Sequence, residues 1–202
     1  MRLIIFTRYP EAGLVKTRLI PALGEKGAEL LHRDMAEHTI AQARHFRGEV
    51  EICFTGGTRR LMKQWLGKDL LYREQKGSSL GERLSTAITK AFSGDNKKVA
   101  VIGTDCPALT TAHINRAFQL LDSSDLVLGP AYDGGYYLIG LRNANQKLFR
   151  GISWGSENVY LQTTEAADRL DLKTSHLEKL ADVDCPADLP AWANRRTAKR
   201  QG

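Results

Sequence analysis

Cysteine is scarce: Cys53, Cys106 and Cys185 are odd in number, far apart and in no C-x-x-C pair. That excludes a disulfide framework and a zinc site and leaves reduced thiols. Long apolar runs are also missing. None approaches the ~20 residues of a membrane helix, and residues 3–6 behind Arg2 are too short a run for a signal peptide, so no membrane span and a cytoplasmic location are expected. The five histidines show no metal spacing, and His32, His38 and His45 read as helix-surface residues. Neither G-x-x-x-x-G-K-[ST] nor G-x-G-x-x-G occurs, which removes the P-loop and the dinucleotide fingerprint. A basic face interleaved with aromatics is lacking too. The net charge of +6 is inflated by Arg195-Arg196-Thr197-Ala198-Lys199-Arg200, and elsewhere cations alternate with acids, so nucleic acid is not an expected partner.

No internal repeat, low-complexity stretch or linker interrupts the chain before about Ala191. With 202 residues and 42% hydrophobic content, one domain over 1–190 is expected, followed by a basic, flexible tail over 191–202. Short apolar runs at 3–6, 50–54, 70–72, 99–102 and 126–128 predict strands, most of them buried on both faces. Helical periodicity fills the gaps at 25–46, 59–66, 82–92, 111–121 and 156–170. The order βαβαβαβαβ implies an α/β fold with three layers and a mainly parallel sheet. After Gly129-Pro130, the turn signal Asp133-Gly134-Gly135 runs directly into another strand at 136–141. With no room for a helix there, the sheet is expected to end in a mixed, partly antiparallel section.

Acidic residues fall where two of these strands run out into loops. In Gly103-Thr104-Asp105-Cys106-Pro107 the strand delivers Asp105 to a crevice, where a carboxylate suits Mg²⁺ or Mn²⁺ held against nucleotide phosphates. Thr104 or Asp105 also fits as a helix cap, although Thr110 or Thr111 lies nearer the helix. Cys106 reads as a structural thiol. In Asp182-Val183-Asp184-Cys185-Pro186 a second carboxylate can reach the same metal; the stretch also reads as a helix start, with Asp184 as cap and Pro186 in the first turn. Behind the first strand, Gly13 permits close approach of a phosphate, and Arg8, Lys16 and Arg18 can neutralise it. A competing signal is Gly77-Ser78-Ser79-Leu80-Gly81, which satisfies G-x-S-x-G and would make Ser79 a hydrolase nucleophile with His176 and Asp105 or Asp133, though no HGGG-type motif accompanies it.

Five ordered motifs together resemble a known family. They are Pro10-x-x-Gly13-x-Val15-Lys16-Thr17-Arg18-Leu19, Gln75-x-Gly77-x-x-Leu80-Gly81-Glu82-Arg83, Gly103-Thr104-Asp105-Cys106-Pro107, the stretch from Gly129 through Asp133-Gly134-Gly135-Tyr136-Tyr137 to Leu141, and Asp182-Val183-Asp184. Spread over about Met1 to Leu189, they are similar to the small bacterial glycosyltransferase-A-like family formerly called DUF2064, within the nucleotide-diphospho-sugar transferases. The resemblance implies a single GT-A-like domain and a metal-dependent transferase with a nucleotide-sugar donor. It also implies Asp105 and Asp184 as metal ligands, and Lys16 and Arg18 as catalytic cations on the donor's phosphates. Arg8, Gly13, Gln75, Gly77, Arg83 and Thr104 would complete the nucleotide side. Asp133, as base, and Gly134, Gly135, Tyr136 and Trp154 would line the acceptor or sugar side. Two positions depart from the family pattern: Ser79 where an acid is expected before Leu-Gly, and Trp154-Gly155-Ser156 where Trp-Ser-Thr is expected. The same constellation fits a nucleotidyltransferase acting on a phosphorylated acceptor, and a non-catalytic nucleotide-binding protein needs only the phosphate loop.

Overall fold

The computed structural model of the chain describes residues 1–190 and Trp192. Apart from Trp192, the basic stretch over 191–202 lies outside the described residues. Strand β1 (Arg2–Arg8) is followed by α1 (Ile20–Ala43), β2 (Glu49–Thr55), α2 (Arg59–Leu66), β3 (Leu71–Glu74), α3 (Leu80–Phe92), β4 (Val99–Ile102) and α4 (Thr111–Leu120). Then come β5 (Leu126–Pro130), β6 (Tyr136–Leu141), α5 (Val159–Arg169) and β7 (Thr174–His176). The strands form one sheet in the order β3-β2-β1-β4-β6-β5-β7. Only β6 runs against its neighbours, pairing Ile139 with both Val101 of β4 and Leu128 of β5.

Loop length sets that reversal. Five residues separate β5 from β6, whereas a parallel return needs a crossover of a dozen or more. A hairpin is therefore the available connection. The sheet thus ends in the mixed, partly antiparallel section expected from sequence, with β6 set inside it because β7 adds beyond β5 in parallel register.

Side chains alternate across each strand and build the two outer layers. Leu3, Ile5, Ala100 and Ile102 point to the face with Ile40, Ile114 and Phe118, whereas Ile4, Val99 and Val101 point to the face with Leu84, Ile88 and Ala166. Both faces of the central strands are thus dry, which explains their uninterrupted apolar runs.

Several boundaries differ from expectation for local reasons. Helix α1 begins at Ile20 rather than 25, with Pro21 in its first turn, and Gly24 at φ 69° breaks its regularity. His32 and His38 are buried, not surface residues, while His45 is exposed. Helix α4 starts after Thr110, whose backbone N–H donates to His113 Nδ1 at 3.1 Å. Asp184 is not the cap of the short 3₁₀ turn Pro186–Asp188: Cys185 occupies that position, and Asp188 Oδ2 accepts the N–H groups of Asp184 and Cys185 at 3.0 and 2.8 Å. No helix among the described residues is long and apolar enough to cross a membrane.

Candidate active site

At the C-terminal end of the parallel strands lies a cavity of about 700 Å³. Three chain segments meet at its acidic end. The first is the loop after β1, where Gly13 (φ 77°) and Lys16 (φ 48°) both take left-handed backbone conformations. The second is the loop after β4, which carries Asp105. The third is residues 180–184, drawn along the hairpin by Leu180 N–H to Pro130 O (3.1 Å) and Tyr132 N–H to Leu180 O (3.1 Å). Val183 N–H then donates to Asp105 O at 2.9 Å, and the Cys106 thiol donates to Ala181 O at 3.3 Å. These bonds put Asp105 beside Asp182 and Asp184.

Lys16 binds this junction together. Its Nζ lies 2.7 Å from Asp105 Oδ1, 2.6 Å from Asp184 Oδ1 and 2.6 Å from the Val183 carbonyl, with its side chain only 5% exposed. Burial pulls its pKa down, but the charges of Asp105 and then Asp184 outweigh that and hold it above the ordinary lysine value. Asp133, Asp182 and Asp184 form a second group, each offering an oxygen within 4.8 Å of the others. Burial and the charge of Asp133, followed by those of Asp184 and Asp105, push the Asp182 carboxyl up to about 7. Asp133 Oδ1 accepts the Gly135 N–H at 2.8 Å, an Asx turn that fixes the carboxylate at the hairpin tip.

The cavity brings together most of the residues read from sequence: Arg8, Lys16, Arg18, Gln75, Thr104, Asp105, Asp133, Gly135, Tyr136, Trp154 and Asp184 all line it. Arg8 and Arg18 are exposed and form no ion pair among the described residues. Gln75 Nε2 donates to Cys53 O at 2.9 Å, so its amide already ties β1–β2 to the cavity floor. Thr104 is buried, with its hydroxyl 3.5 Å from that of Thr7. Tyr136 meets Trp154 edge-on, with its hydroxyl buried.

Four expected residues fall outside the lining. Gly13 and Gly134 shape the loops behind it. Gly77 lines a separate polar groove along α3, and Arg83 Nε donates to Gly77 O at 3.0 Å rather than reaching the cavity. Sequence reasoning bypassed Asp182 in favour of Asp184, and it missed His32, which lines the cavity with Nε2 2.9 Å from Arg8 O. Residues i and i+2 share a face in extended chain, so Asp-x-Asp did carry the signal for Asp182.

The hydrolase constellation does not assemble. Ser79 is the N-cap of α3, accepting Glu82 N–H at 3.2 Å, and His176 Nδ1 lies 2.9 Å from the Tyr160 hydroxyl; neither residue lines the cavity that holds Asp105 and Asp133. Burial pushes the thiols of Cys53 and Cys106 up to about 12, which removes them as nucleophiles near neutrality. Cys185 alone is part-exposed. An aromatic disulfide reagent at pH 7.5 is expected to titrate one thiol quickly in the native protein and three in denaturant. Rapid release of three native equivalents would contradict the burial of Cys53 and Cys106.

The site's donor set suits a hard divalent ion. Among the described residues, every candidate ligand is a carboxylate oxygen, with Asp105 and Asp184 paired to Lys16 and Asp133 and Asp182 grouped with Asp184.

Residues 39–156 match the family described as "Uncharacterized protein conserved in bacteria (DUF2064)". Among solved structures, a "putative nucleotide-diphospho-sugar transferase" from Desulfovibrio desulfuricans G20 is 34% identical with a TM-score of 0.87, over 91% of this chain and 82% of that one. CMP:2-keto-3-deoxy-manno-octonic acid synthetase complexed with CTP aligns at 10% identity and a TM-score of 0.62, over 98% of each chain. Rv0371c of Mycobacterium tuberculosis H37Rv, in complex with manganese, aligns at 12% identity and a TM-score of 0.55, over 94% of this chain and 96% of that one. The last two share the fold. No curated protein matches the chain.

Proposed function

The chain belongs to the bacterial DUF2064 family, and from that premise we propose that it is a divalent-metal-dependent transferase using a nucleotide-sugar donor, a glycosyltransferase of GT-A type. The observation that carries this reading is the junction of Lys16 with Asp105 and Asp184 at the mouth of the β1 and β4 loops, beside Asp133 and Asp182. Cations and a hard-metal ligand set converge where a diphosphate would lie. The 34% identical relative is named for nucleotide-diphospho-sugar transfer, which supports the same donor class here.

In this reading Asp105 and Asp184 would hold Mg²⁺ or Mn²⁺, with Asp182 adjoining. When bound, such an ion offsets negative charge that builds on a departing diphosphate. Arg18, and Lys16 once an ion takes its place on Asp105 and Asp184, would supply positive charge to the same oxygens, and Arg8 extends it along the rim. Gln75 and Thr104 border the nucleotide half of the cavity. Asp133 Oδ1 is held by the Gly135 N–H, which leaves Oδ2 for the proton of an acceptor hydroxyl. Tyr136 and Trp154 give that half an aromatic wall suited to a sugar face.

A nucleotidyltransferase is the second reading, favoured by the shared fold with a synthetase that binds CTP. There the same cations would neutralise pyrophosphate as a phosphorylated acceptor attacks the α-phosphorus. Thermal-shift or calorimetric titration with nucleotide sugars and nucleoside triphosphates, each with Mn²⁺, Mg²⁺ or chelator, separates the two. At a hundredfold excess over Kd, one nucleotide sugar is expected to stabilise the protein by about 2.7 kcal/mol, and chelator should abolish the effect. Selective response to a triphosphate would move the assignment to nucleotidyl transfer. No response to any nucleotide would sink both.

A further inference from the structure

Lys16 stands where a divalent ion would be sought. Two carboxylate oxygens and one carbonyl oxygen surround its Nζ at 2.6 to 2.7 Å, matching the ammonium's three donors. Hard cations prefer the same kind of all-oxygen nest. The residue is held there against its own backbone preference, at φ 48° and ψ 43°, a region that non-glycine residues seldom occupy. Nothing about phosphate binding requires a lysine to be buried on aspartates.

We propose that the Lys16 ammonium is a built-in placeholder for the divalent ion, so that the protein takes its metal as a complex with the donor's diphosphate and not as the free ion. The inference rests on the metal-dependent reading above. A free ion entering between Asp105 and Asp184 must expel Lys16, leaving an ammonium on a 5% exposed side chain without its counter-charges. Such a buried, unpaired charge is costly. A diphosphate arriving with the ion supplies new oxygens to the displaced ammonium, so the exchange leaves every charge paired. Arg8 and Arg18, exposed on the rim, meet that anion first. The order of binding is thus written into one ion triad.

The test uses Mn²⁺ alone, with free Mn²⁺ read by electron paramagnetic resonance on the full chain. Lys16→Met is expected to bind one Mn²⁺ at least tenfold more tightly than the wild type, while Lys16→Arg stays at the wild-type level. Adding Asp184→Asn to Lys16→Met should remove the gain. Circular dichroism checks folding, and Lys16→Gln carries the same comparison if the Met variant does not fold. Equal or weaker Mn²⁺ affinity in the neutral variant would overturn the placeholder while leaving metal dependence standing. Absence of Mn²⁺ binding by every protein, with or without added pyrophosphate, would overturn both.

Discussion

Asp184→Asn is expected to lower kcat/KM by roughly a hundredfold or more, about 2.7 kcal/mol of transition-state stabilisation, and to abolish Mn²⁺-dependent nucleotide binding. Asp184 is the one carboxylate shared by both local constellations: it pairs with Lys16 at 2.6 Å and belongs to the group with Asp133 and Asp182. Asparagine keeps the size of the side chain and removes the charge. Stability should change little, since the Asp184 side chain is 42% exposed and Lys16 retains Asp105 and the Val183 carbonyl. The local turn also survives, because it depends on the Asp184 backbone N–H donating to Asp188 and not on the Asp184 carboxylate. Steady-state kinetics and Mn²⁺ titration on the same preparation provide the check. Unaltered metal-dependent nucleotide affinity would remove Asp184 from the site.

The parts of this arrangement that sequence reveals are those with a local physical cause. Strands β1, β2, β4 and β5 are buried on both faces, so their apolar runs stand out. The reversal at β6 follows from a connection too short for a crossover. Strand β7 has no such signature: Thr174, Ser175 and His176 are held by parallel pairing to β5 and by the contact between the Ser124 and Ser175 hydroxyls, at 2.7 Å. A three-residue polar edge strand has neither periodicity nor apolar content to read. The site divides in the same way. Strand ends announced Asp105, and Asp-x-Asp announced a pair of carboxylates, but the partner of Lys16 lies 168 residues away at Asp184. No local pattern encodes a contact of that separation, so sequence presents Lys16 as a cation for phosphate and leaves its aspartate partners hidden. The Gln75-to-Arg83 motif shows the opposite case. Gly77 and Arg83 satisfy each other at the start of α3, a local hydrogen bond that sequence cannot tell from a ligand contact.

Gly134→Ala is expected to be the most damaging single substitution in the hairpin tip, destabilising the fold by about 3 kcal/mol or more and also weakening metal binding. Gly134 has φ 88°, and a Cβ there would lie 2.0 Å from the Glu157 carbonyl oxygen and 2.5 Å from its carbon. Both are backbone atoms, so no rotamer change relieves the clash. The loop cannot simply lift away either, because the Gly134 carbonyl accepts the Tyr160 N–H at 2.8 Å and so ties the tip to the start of α5. Any movement that makes room for the methyl breaks this bond and carries Asp133 away from Asp182 and Asp184. Gly135→Ala is the matched control. Its Cβ would meet only the Asp133 side chain, at 3.1 Å from Oδ1, a contact relieved by a shift of a few tenths of an ångström that involves no backbone atom of residue 157. Urea unfolding of the two variants should therefore differ by about 2 kcal/mol or more, with Gly134→Ala the weaker. Equal midpoints would show that the hairpin tip does not press on residue 157 in solution, and Asp133 would then lack the fixed position that its place beside Asp182 and Asp184 requires.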